Sequence, residues 1–226
     1  MKIAILGAAG KIGGLTVAEG VAQGHHVRAL ARNPDRIPDV RGPGSLTRLP
    51  GDVLNAASLE QALAGADAVV CTFGAPLNWS TITRMPTVCA VGTRSVLQAM
   101  ARTGVARLVC MTAIGVGDSR GRGRRIFRSF IRPVLLGRIF ADRQIQEDLV
   151  RSSATRWSIV RPAELTDAPA GPWRTVDASD RSGPEPAHVP RATVAKFLIR
   201  EAVEAGFLGR APILTAAPQP NHRSDP

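Results

Sequence analysis

Three glycines near the start of the chain constrain its fold more than any other feature. The stretch ILGAAGKIGG, residues 5–14, spaces Gly7, Gly10 and Gly13 three residues apart behind a short apolar run. The loop leaves a predicted strand over residues 2–6 and opens a predicted helix, and this context strengthens a spacing that is weak by itself. The first glycine permits a tight turn, the second lets the backbone approach a diphosphate, and the third lets the helix pack closely on the sheet. The stretch therefore predicts a dinucleotide-binding turn.

The phosphates of such a ligand would face free N–H groups and the positive end of the helix. The loop residues predicted to bind the cofactor are Gly7, Ala9, Gly10, Lys11, Ile12 and Gly13. A Walker-type triphosphate loop is disfavoured because the stretch lacks a GK[ST] ending. A glycine-rich turn that binds no ligand is the alternative.

The end of the second predicted strand, HVRALA from His26, indicates which dinucleotide is bound. An acid at this place would favour NAD, whereas a basic residue would pair with the 2′-phosphate of NADP. The chain reads LARNPDR here, with Arg32 at the expected place and Arg36 one helical turn later. Lys11 is expected on the same side. The three cations together predict NADP(H) as the cofactor.

The remaining chain alternates short apolar segments with helical patterns. Further strands are predicted over 46–49, 67–73, 107–112, 157–160 and 211–215, and helices over 11–23, 56–63, 86–102, 126–151 with a break at Pro133, and 191–205. Such alternation predicts an α/β fold, a doubly wound parallel sheet of the Rossmann type, as a single domain over residues 1–217. The Pro- and Gly-rich segment 162–190 is expected to be a loop region that shapes a substrate pocket. Residues 218–226 are expected to be a flexible tail.

In such a sheet, ligands bind beyond the carboxyl ends of the strands. Asp52 and Val53 are expected near the adenine, and the residues that follow the fourth and fifth strands are expected near the rest of the cofactor and the substrate. The contacts predicted here are Asp52, Val53, Thr72, Phe73, Gly74, Thr112 and Ala113.

Composition excludes some classes of protein. A hydrophobic fraction of 44% and a charged fraction of 21% are typical of globular domains and not of disordered chains. The apolar start of the chain lacks the features of a signal peptide, so a cytoplasmic protein is expected. The three cysteines, Cys71, Cys89 and Cys110, are too far apart for a zinc site or a disulfide framework, and buried thiols are expected. No metal site is predicted.

The net charge of +11 is concentrated in residues 120–143, which hold eight arginines against one acid, Asp142. This segment raises the alternative of nucleic-acid binding. However, 26 of the 29 basic residues are arginine, a bias that the nucleotide composition of a gene can produce. A solvated or phosphate-facing surface is therefore favoured over a nucleic-acid interface.

Longer stretches of the sequence resemble a known family. LGAAGKIG, ALARNPDRI, GDVLNAASLEQALAGADAVV, LVCMTAIGVGDSR, RSSATRWSIVRPAELTD and HVPRATVAKFLI together are similar to the atypical short-chain dehydrogenase/reductase group of NAD(P)H-binding proteins, of the flavin reductase or biliverdin reductase B type. The resemblance covers nearly the whole chain. It implies NADPH on a Rossmann domain, Arg32 and Arg36 on the 2′-phosphate, and a small open pocket above the nicotinamide.

The sequence departs from the wider superfamily where that superfamily carries its catalytic pair. There, a Tyr-x-x-x-Lys pair on the helix after the fifth strand delivers a proton to a carbonyl, but this chain contains no tyrosine and has no lysine on that helix. Ile139 and Arg143 align with the pair. Thr112 keeps a hydroxyl at the strand end, while Ala113 stands where relatives often carry a serine. Thr112 is expected either to bond the nicotinamide amide or a substrate oxygen, or to cap its own backbone.

A missing general acid limits the chemistry. A conjugated acceptor such as a flavin, FMN included, or a quinone accepts hydride and takes its proton from water, so it needs less from the protein than a ketone does. We therefore expect an NADPH-dependent oxidoreductase with Thr112 and Arg143 as candidate catalytic residues. Other candidate contacts, each with a structural alternative, are Asp142 and Glu147 as orienting charges, Phe73, Trp79 and Trp173 as stacking rings, and His188 as a proton donor. The rival interpretation is a non-catalytic NADP(H)-sensing protein, and a monomer or weak homo-oligomer is expected.

Overall fold

A computed structural model of the chain describes residues 1–74, 87–122 and 137–218. Within these ranges the strands are β1 (Lys2–Leu6), β2 (His26–Ala31), β3 (Ser45–Pro50), β4 (Ala68–Cys71), β5 (Arg107–Met111), β6 (Arg156–Pro162), β7 (Glu164–Thr166), β8 (Trp173–Val176), β9 (His188–Pro190) and β10 (Ile213–Ala216). The helices are α1 (Lys11–Ala22), α2 (Ala56–Leu63), α3 (Val88–Thr103), α4 (Gly137–Arg151) and α5 (Arg191–Glu204). Short 3₁₀ turns cover Pro34–Arg36 and Gly117–Ser119.

Eight of the strands form one sheet in the order β3-β2-β1-β4-β5-β6-β10-β8. Neighbouring strands are parallel except for β8, which runs antiparallel to β10 at the edge. The order reverses between β1 and β4, and this reversal opens a crevice at the carboxyl edge of the sheet. The predicted doubly wound fold is confirmed.

Both faces of the sheet are covered by helices, and the central strands are apolar on both sides. Ile3 and Ile5 pack with α1 and α5, whereas Ala4 and Leu6 pack with α2, α3 and α4. Strands buried in this way read as continuous apolar runs, which explains why β1 and β4 could be predicted without an alternating pattern.

The segment 162–190 differs from its expected form as an irregular loop. It contains β7 and β9, which pair with each other in a small parallel sheet, and β8, which extends the main sheet. Two of these strands have three residues, which is too short for a visible sequence period.

The predicted helix over 126–151 is described from Gly137 onward. Residues 126–136, with the expected break at Pro133, lie outside the described residues, as do Trp79 and most of the expected tail. All three cysteines are buried, as expected. Burial raises the pKa of the Cys71 thiol to about 12, so this side chain is no nucleophile near neutral pH.

Candidate functional site

The glycine loop is closed tightly by its own backbone. Gly7 has a φ of +86°, and a Cβ at this position would lie 2.7 Å from the backbone nitrogen of Phe73. A Cβ on Gly13 would lie 2.2 Å from the carbonyl oxygen of Gly7. Both positions therefore require glycine, one for its conformation and its contact with the end of β4, and the other for helix packing.

Gly10 differs from these two because it faces open space. A Cβ here would meet the Gly7 carbonyl oxygen at 3.2 Å and nothing else within 4 Å among the described residues. Gly10 precedes α1, which has no side-chain cap and no acidic residue in its first turn. The first N–H groups of α1 therefore face an open crevice, as a diphosphate site requires.

Hydrogen bonds to the ends of β1 and β2 also hold the glycine loop. The Thr72 hydroxyl donates to the carbonyl oxygen of Leu6 at 2.9 Å, and the amides of Gly7 and Ala8 both donate to that of Leu30 at 3.2 Å. Thr72 was predicted to contact the cofactor. In the structure its hydroxyl proton is used in the hydrogen bond to Leu6. These three hydrogen bonds hold the turn to the ends of β1 and β2.

Phe73 packs under this loop and does not present its ring to a substrate. It is 8% exposed, and a Cβ on Gly92 would lie 3.0 Å from its ring. Val53 belongs to the same apolar cluster. The Asp52 carboxylate accepts the amide of Leu54 at 3.0 Å, which fixes the turn that precedes α2. Adenine contacts of Asp52 and Val53 stay predictions.

The three cations expected at the 2′-phosphate differ in their ion-pair partners. Arg32 and Arg36 are exposed, and no acid in the described part of the chain forms an ion pair with either guanidinium. Asn33 between them caps the 3₁₀ turn by accepting the amide of Asp35 at 3.0 Å. The Lys11 ammonium instead lies 4.0 Å from the carboxylate of Asp167, which follows β7.

Arg143 reaches the carboxyl edge of the sheet from α4. Its guanidinium donates to the carbonyl oxygen of Met111, at the end of β5, at 3.3 Å. A Cβ on Gly74, just past β4, would lie 2.7 Å from the same guanidinium. The side chain is half-buried, and no acid in the described ranges forms an ion pair with it. Arg143 therefore places a positive charge beside the ends of β4 and β5.

Thr112 and Glu147 form a buried pair behind this edge. The Thr112 hydroxyl donates to Glu147 at 2.7 Å, and Glu147 accepts two bonds from Arg161 of β6 at 2.9 and 2.5 Å. Arg161 also pairs with Asp118. Burial by itself would lower the pKa of Arg161, but hydrogen bonds and charges from Glu147 and Asp118 raise it overall. The Thr112 hydroxyl proton is thus committed to the interior, and the half-exposed residue at the strand end is Ala113.

Asp142 and Glu147 of α4 were expected either to orient a substrate or to be solvated charges. In the structure both are buried and hydrogen-bonded. Glu147 is 0% exposed and Asp142 is 1% exposed. Asp142 accepts the amides of Cys89 and Ala90 at 2.9 Å each, so it caps the N-terminus of α3 from a different helix. The adjacent residue Thr87 makes no side-chain cap. Buried acids need such partners.

The remaining candidates differ in burial and in their partners. Trp173 packs edge-on against Phe197, with ring centroids 6.3 Å apart, so it is a packing residue. His188 is exposed and starts β9. Arg122 was expected in an exposed rim of arginines, but it is 2% exposed and donates to the carbonyl oxygens of Ala178 and Asp180. The arginines between 123 and 136 lie outside the described residues.

The sequence reasoning missed Arg161, Asp167 and Arg191. A signal existed for Arg161, since an arginine within the apolar run WSIVRP demands a buried acid, and Glu147 supplies one. Asp167 gave no signal in the sequence, because it lies far along the chain from Lys11 and 24 residues from Arg191, and only the folded chain brings the three together.

Comparison with known families decides the class of this site. Residues 7–204 match the sequence profile of a family described as NAD(P)H-binding. The chain belongs to this NAD(P)H-binding family. The match begins at Gly7 and so includes the glycine loop.

Curated relatives match about half of the chain. An uncharacterized protein of Mycobacterium tuberculosis is 36% identical over 111 residues, which is 48% of this chain and 12% of that protein. Cinnamoyl-CoA reductase 1 of Oryza sativa is 34% identical over 119 residues, which is 50% of this chain and 34% of that protein. The chain thus spans only a minor part of the length of these relatives.

Solved structures match over nearly the full chain. A wide-type short-chain dehydrogenase/reductase from Veillonella parvula in complex with NADP has a TM-score of 0.76 at 20% identity, covering 97% of this chain and 95% of that one. The anaerobillin reductase ChuY from Escherichia coli O157:H7 has a TM-score of 0.75 at 21% identity, covering 97% and 99%. These structures share the fold of this chain. In the described part of this chain, no helix has the length and apolar character needed to cross a membrane.

Proposed function

We propose that the protein is an NADPH-dependent reductase that passes hydride directly to a conjugated small molecule, such as a flavin or a quinone, without a tyrosine general acid. The observation that carries this proposal is the half-buried Arg143 guanidinium at the ends of β4 and β5, which forms no ion pair with an acid of the described residues. NADPH, when bound, supplies the hydride. The chain supplies binding, orientation and charge.

Arg143 would act on the charge that develops in the acceptor. A conjugated acceptor that receives hydride carries a negative charge until a proton arrives from water. A guanidinium stays protonated at all physiological pH values, so Arg143 stabilises this charge but does not donate the proton. Water then completes the reaction, and the missing tyrosine is not needed.

The acids that flank Arg143 on α4, Asp142 and Glu147, are held by other groups. Glu147, one helical turn after Arg143, is bound by Arg161, and Asp142 is bound by the start of α3. An acid that bonded Arg143 would cancel the field at the crevice. The arrangement favours an acceptor that is anionic or becomes anionic.

The choice of NADPH rests on the exposed pair Arg32 and Arg36 at the end of β2. Neither guanidinium has an acidic partner among the described residues, so both are available to a 2′-phosphate. A structural neighbour with bound NADP and two relatives named as reductases support this class of function. The partner that we propose is accordingly a small molecule and not a nucleic acid.

The test is anaerobic oxidation of NADPH with FMN, riboflavin, quinones and conjugated carbonyls as acceptors. We expect Arg143→Gln to lower kcat by roughly 10²–10³-fold with little change in the Kd for NADPH, because the lost interaction forms mainly in the transition state. Arg143→Lys should restore part of the rate. Arg138→Gln, an exposed arginine on the same helix, is the matched control and should keep the wild-type rate.

Tight binding of NADPH without turnover of any acceptor would contradict the reductase proposal. It would favour the NADP(H)-sensing alternative, in which the dinucleotide shifts a protein interaction. An unchanged kcat in Arg143→Gln would leave a reductase but remove Arg143 from its mechanism.

A further inference from the structure

Three charges join the glycine loop to the segment that follows β7. Asp167 accepts a hydrogen bond from the Arg191 guanidinium at 2.6 Å, and its other oxygen lies 4.0 Å from the Lys11 ammonium. Lys11 is the first residue of α1, and Arg191 is the first residue of α5. The Lys11 and Asp167 side chains are 76% and 73% exposed, whereas Arg191 is 21% exposed. The cluster is therefore open to a ligand.

The two helices bring these cations to the same edge of the sheet. A Cβ on Gly20 of α1 would lie 3.3 Å from the Ile199 side chain of α5. Gly20 comes nine residues after Lys11, and Ile199 comes eight residues after Arg191. Because these residues meet and the first residue of each helix contacts Asp167, the two helices run side by side in the same direction.

Asp167 is held on this edge from the α5 side as well. The amide of Gly171, four residues later, donates to the Thr193 hydroxyl in the first turn of α5 at 3.0 Å. The segment 167–171 is thus fixed against α5, and its acid faces the start of α1. A negative charge consequently stands next to the loop that a diphosphate must approach.

A carboxylate in this position has two effects on an arriving dinucleotide. It repels the diphosphate directly, and it occupies Lys11, which would otherwise pair with a phosphate. Arg191 partly offsets the first effect by neutralising Asp167. The second effect remains, because Lys11 cannot serve both anions equally well.

We propose that Asp167 is an affinity-determining residue of the dinucleotide site, which competes with the diphosphate of the cofactor for Lys11. This assigns Lys11 to the diphosphate and not, as the sequence suggested, to the 2′-phosphate. The proposal rests on membership of the NAD(P)H-binding family and not on hydride transfer.

Its test uses binding alone. Titrations with NADPH, NADH, ADP-ribose and adenosine 2′-monophosphate should be compared for wild type and Asp167→Asn at low salt. We expect Asp167→Asn to tighten NADPH, NADH and ADP-ribose by a similar factor, roughly 3–10-fold, since all three carry the diphosphate. Adenosine 2′-monophosphate lacks a diphosphate and should bind both proteins equally.

Glu204→Gln is the matched control. Glu204 pairs with Arg200 at 2.6 Å at the other end of α5, and its side chain is 55% exposed, so the change removes the same charge far from the crevice. It should leave all four affinities unchanged. A shift in this variant would mean that net charge alone explains the effect, and the proposal would be overturned.

A double-mutant cycle tests the competition for Lys11. Lys11→Gln should weaken ADP-ribose more in the Asp167→Asn background than in the wild type, because Lys11 is then no longer shared. Equal losses in both backgrounds would overturn the proposal, as would unchanged or weaker diphosphate binding in Asp167→Asn. Thermal unfolding of each variant confirms that the folded protein is compared. Absence of catalytic turnover has no bearing on these outcomes.

Discussion

The arginines at the end of β2 and those inside the sheet differ in almost every physical respect. Arg32 and Arg36 are exposed and form no ion pair with an acid of the described residues. Arg107 and Arg161 are buried, and each binds a buried glutamate, Glu201 or Glu147. The first pair leaves its charge for a ligand, while the second pair neutralises its charge within the fold. A high arginine content therefore says little about partners until each arginine is placed.

The largest effect is expected where a buried pair is broken. Arg161→Met would remove the main partner of the buried Glu147, which would keep only the Thr112 hydroxyl and the Arg151 guanidinium at 3.9 Å. Breaking a buried pair in this way typically costs about 3–5 kcal/mol. Urea unfolding of Arg161→Met and wild type measures the difference in the free energy of unfolding. Arg32→Met, in which an exposed arginine is changed in the same way, should differ from wild type by at most about 0.5 kcal/mol. Similar stabilities for the two variants would erase the distinction between the two groups.

The exposed pair should show its effect in binding. Arg32→Ala removes a charged hydrogen bond to the 2′-phosphate, worth about 1.5–3 kcal/mol, so NADPH affinity should fall by roughly 10–100-fold. NADH lacks that phosphate and should lose little. The two Kd values, obtained by titration of the same protein sample, check this prediction. Equal losses for both dinucleotides would remove Arg32 from the 2′-phosphate site.

A smaller effect is expected in the segment that Arg122 binds. Hydrogen bonds from the hydroxyl and amide of Ser179 lower the pKa of Asp177 below its ordinary value of 3.8. A lowered pKa stabilises the fold above the unfolded-state pKa, and this stability is lost as pH falls through the folded-state pKa. Asp177→Asn should therefore reduce stability slightly near neutral pH, and this loss should shrink in acid, at about pH 2.

Urea unfolding of both proteins at the two pH values measures this change. A loss of stability in Asp177→Asn that persists undiminished in acid would show that the carboxylate charge is not responsible.

Much of the fold could be predicted because its signals are local. Residues 26–31 and 56–63 were predicted as a strand and a helix with the observed bounds, since the apolar pattern of each lies within the segment itself. The glycine loop was predictable for the same reason. Gly7 and Gly13 are required because a Cβ at either position would collide with the backbone of this turn.

The rest depends on contacts between distant residues. Asp142 caps a helix that begins 54 residues earlier, and Glu147 reads as a solvated helix charge until β6 places Arg161 beside it. The strand β8 is stabilised by its pairing with β10, some 40 residues away, and its sequence WRTV carries no strong period. Such features follow from the tertiary structure and could not be obtained from local patterns.

The contact between Gly74 and Arg143 means that the residue tolerated at one of these positions depends on the residue at the other. A methyl group at 74 would meet the mobile end of the arginine and not the backbone, so the fold would survive while the guanidinium moved. Relatives with a shorter or uncharged residue at the place of Arg143 could therefore accept alanine or serine at the place of Gly74. Substitutions at these two positions are expected to covary across the family, and position 74 offers an engineer a means of shifting the charge without touching the residue that bears it.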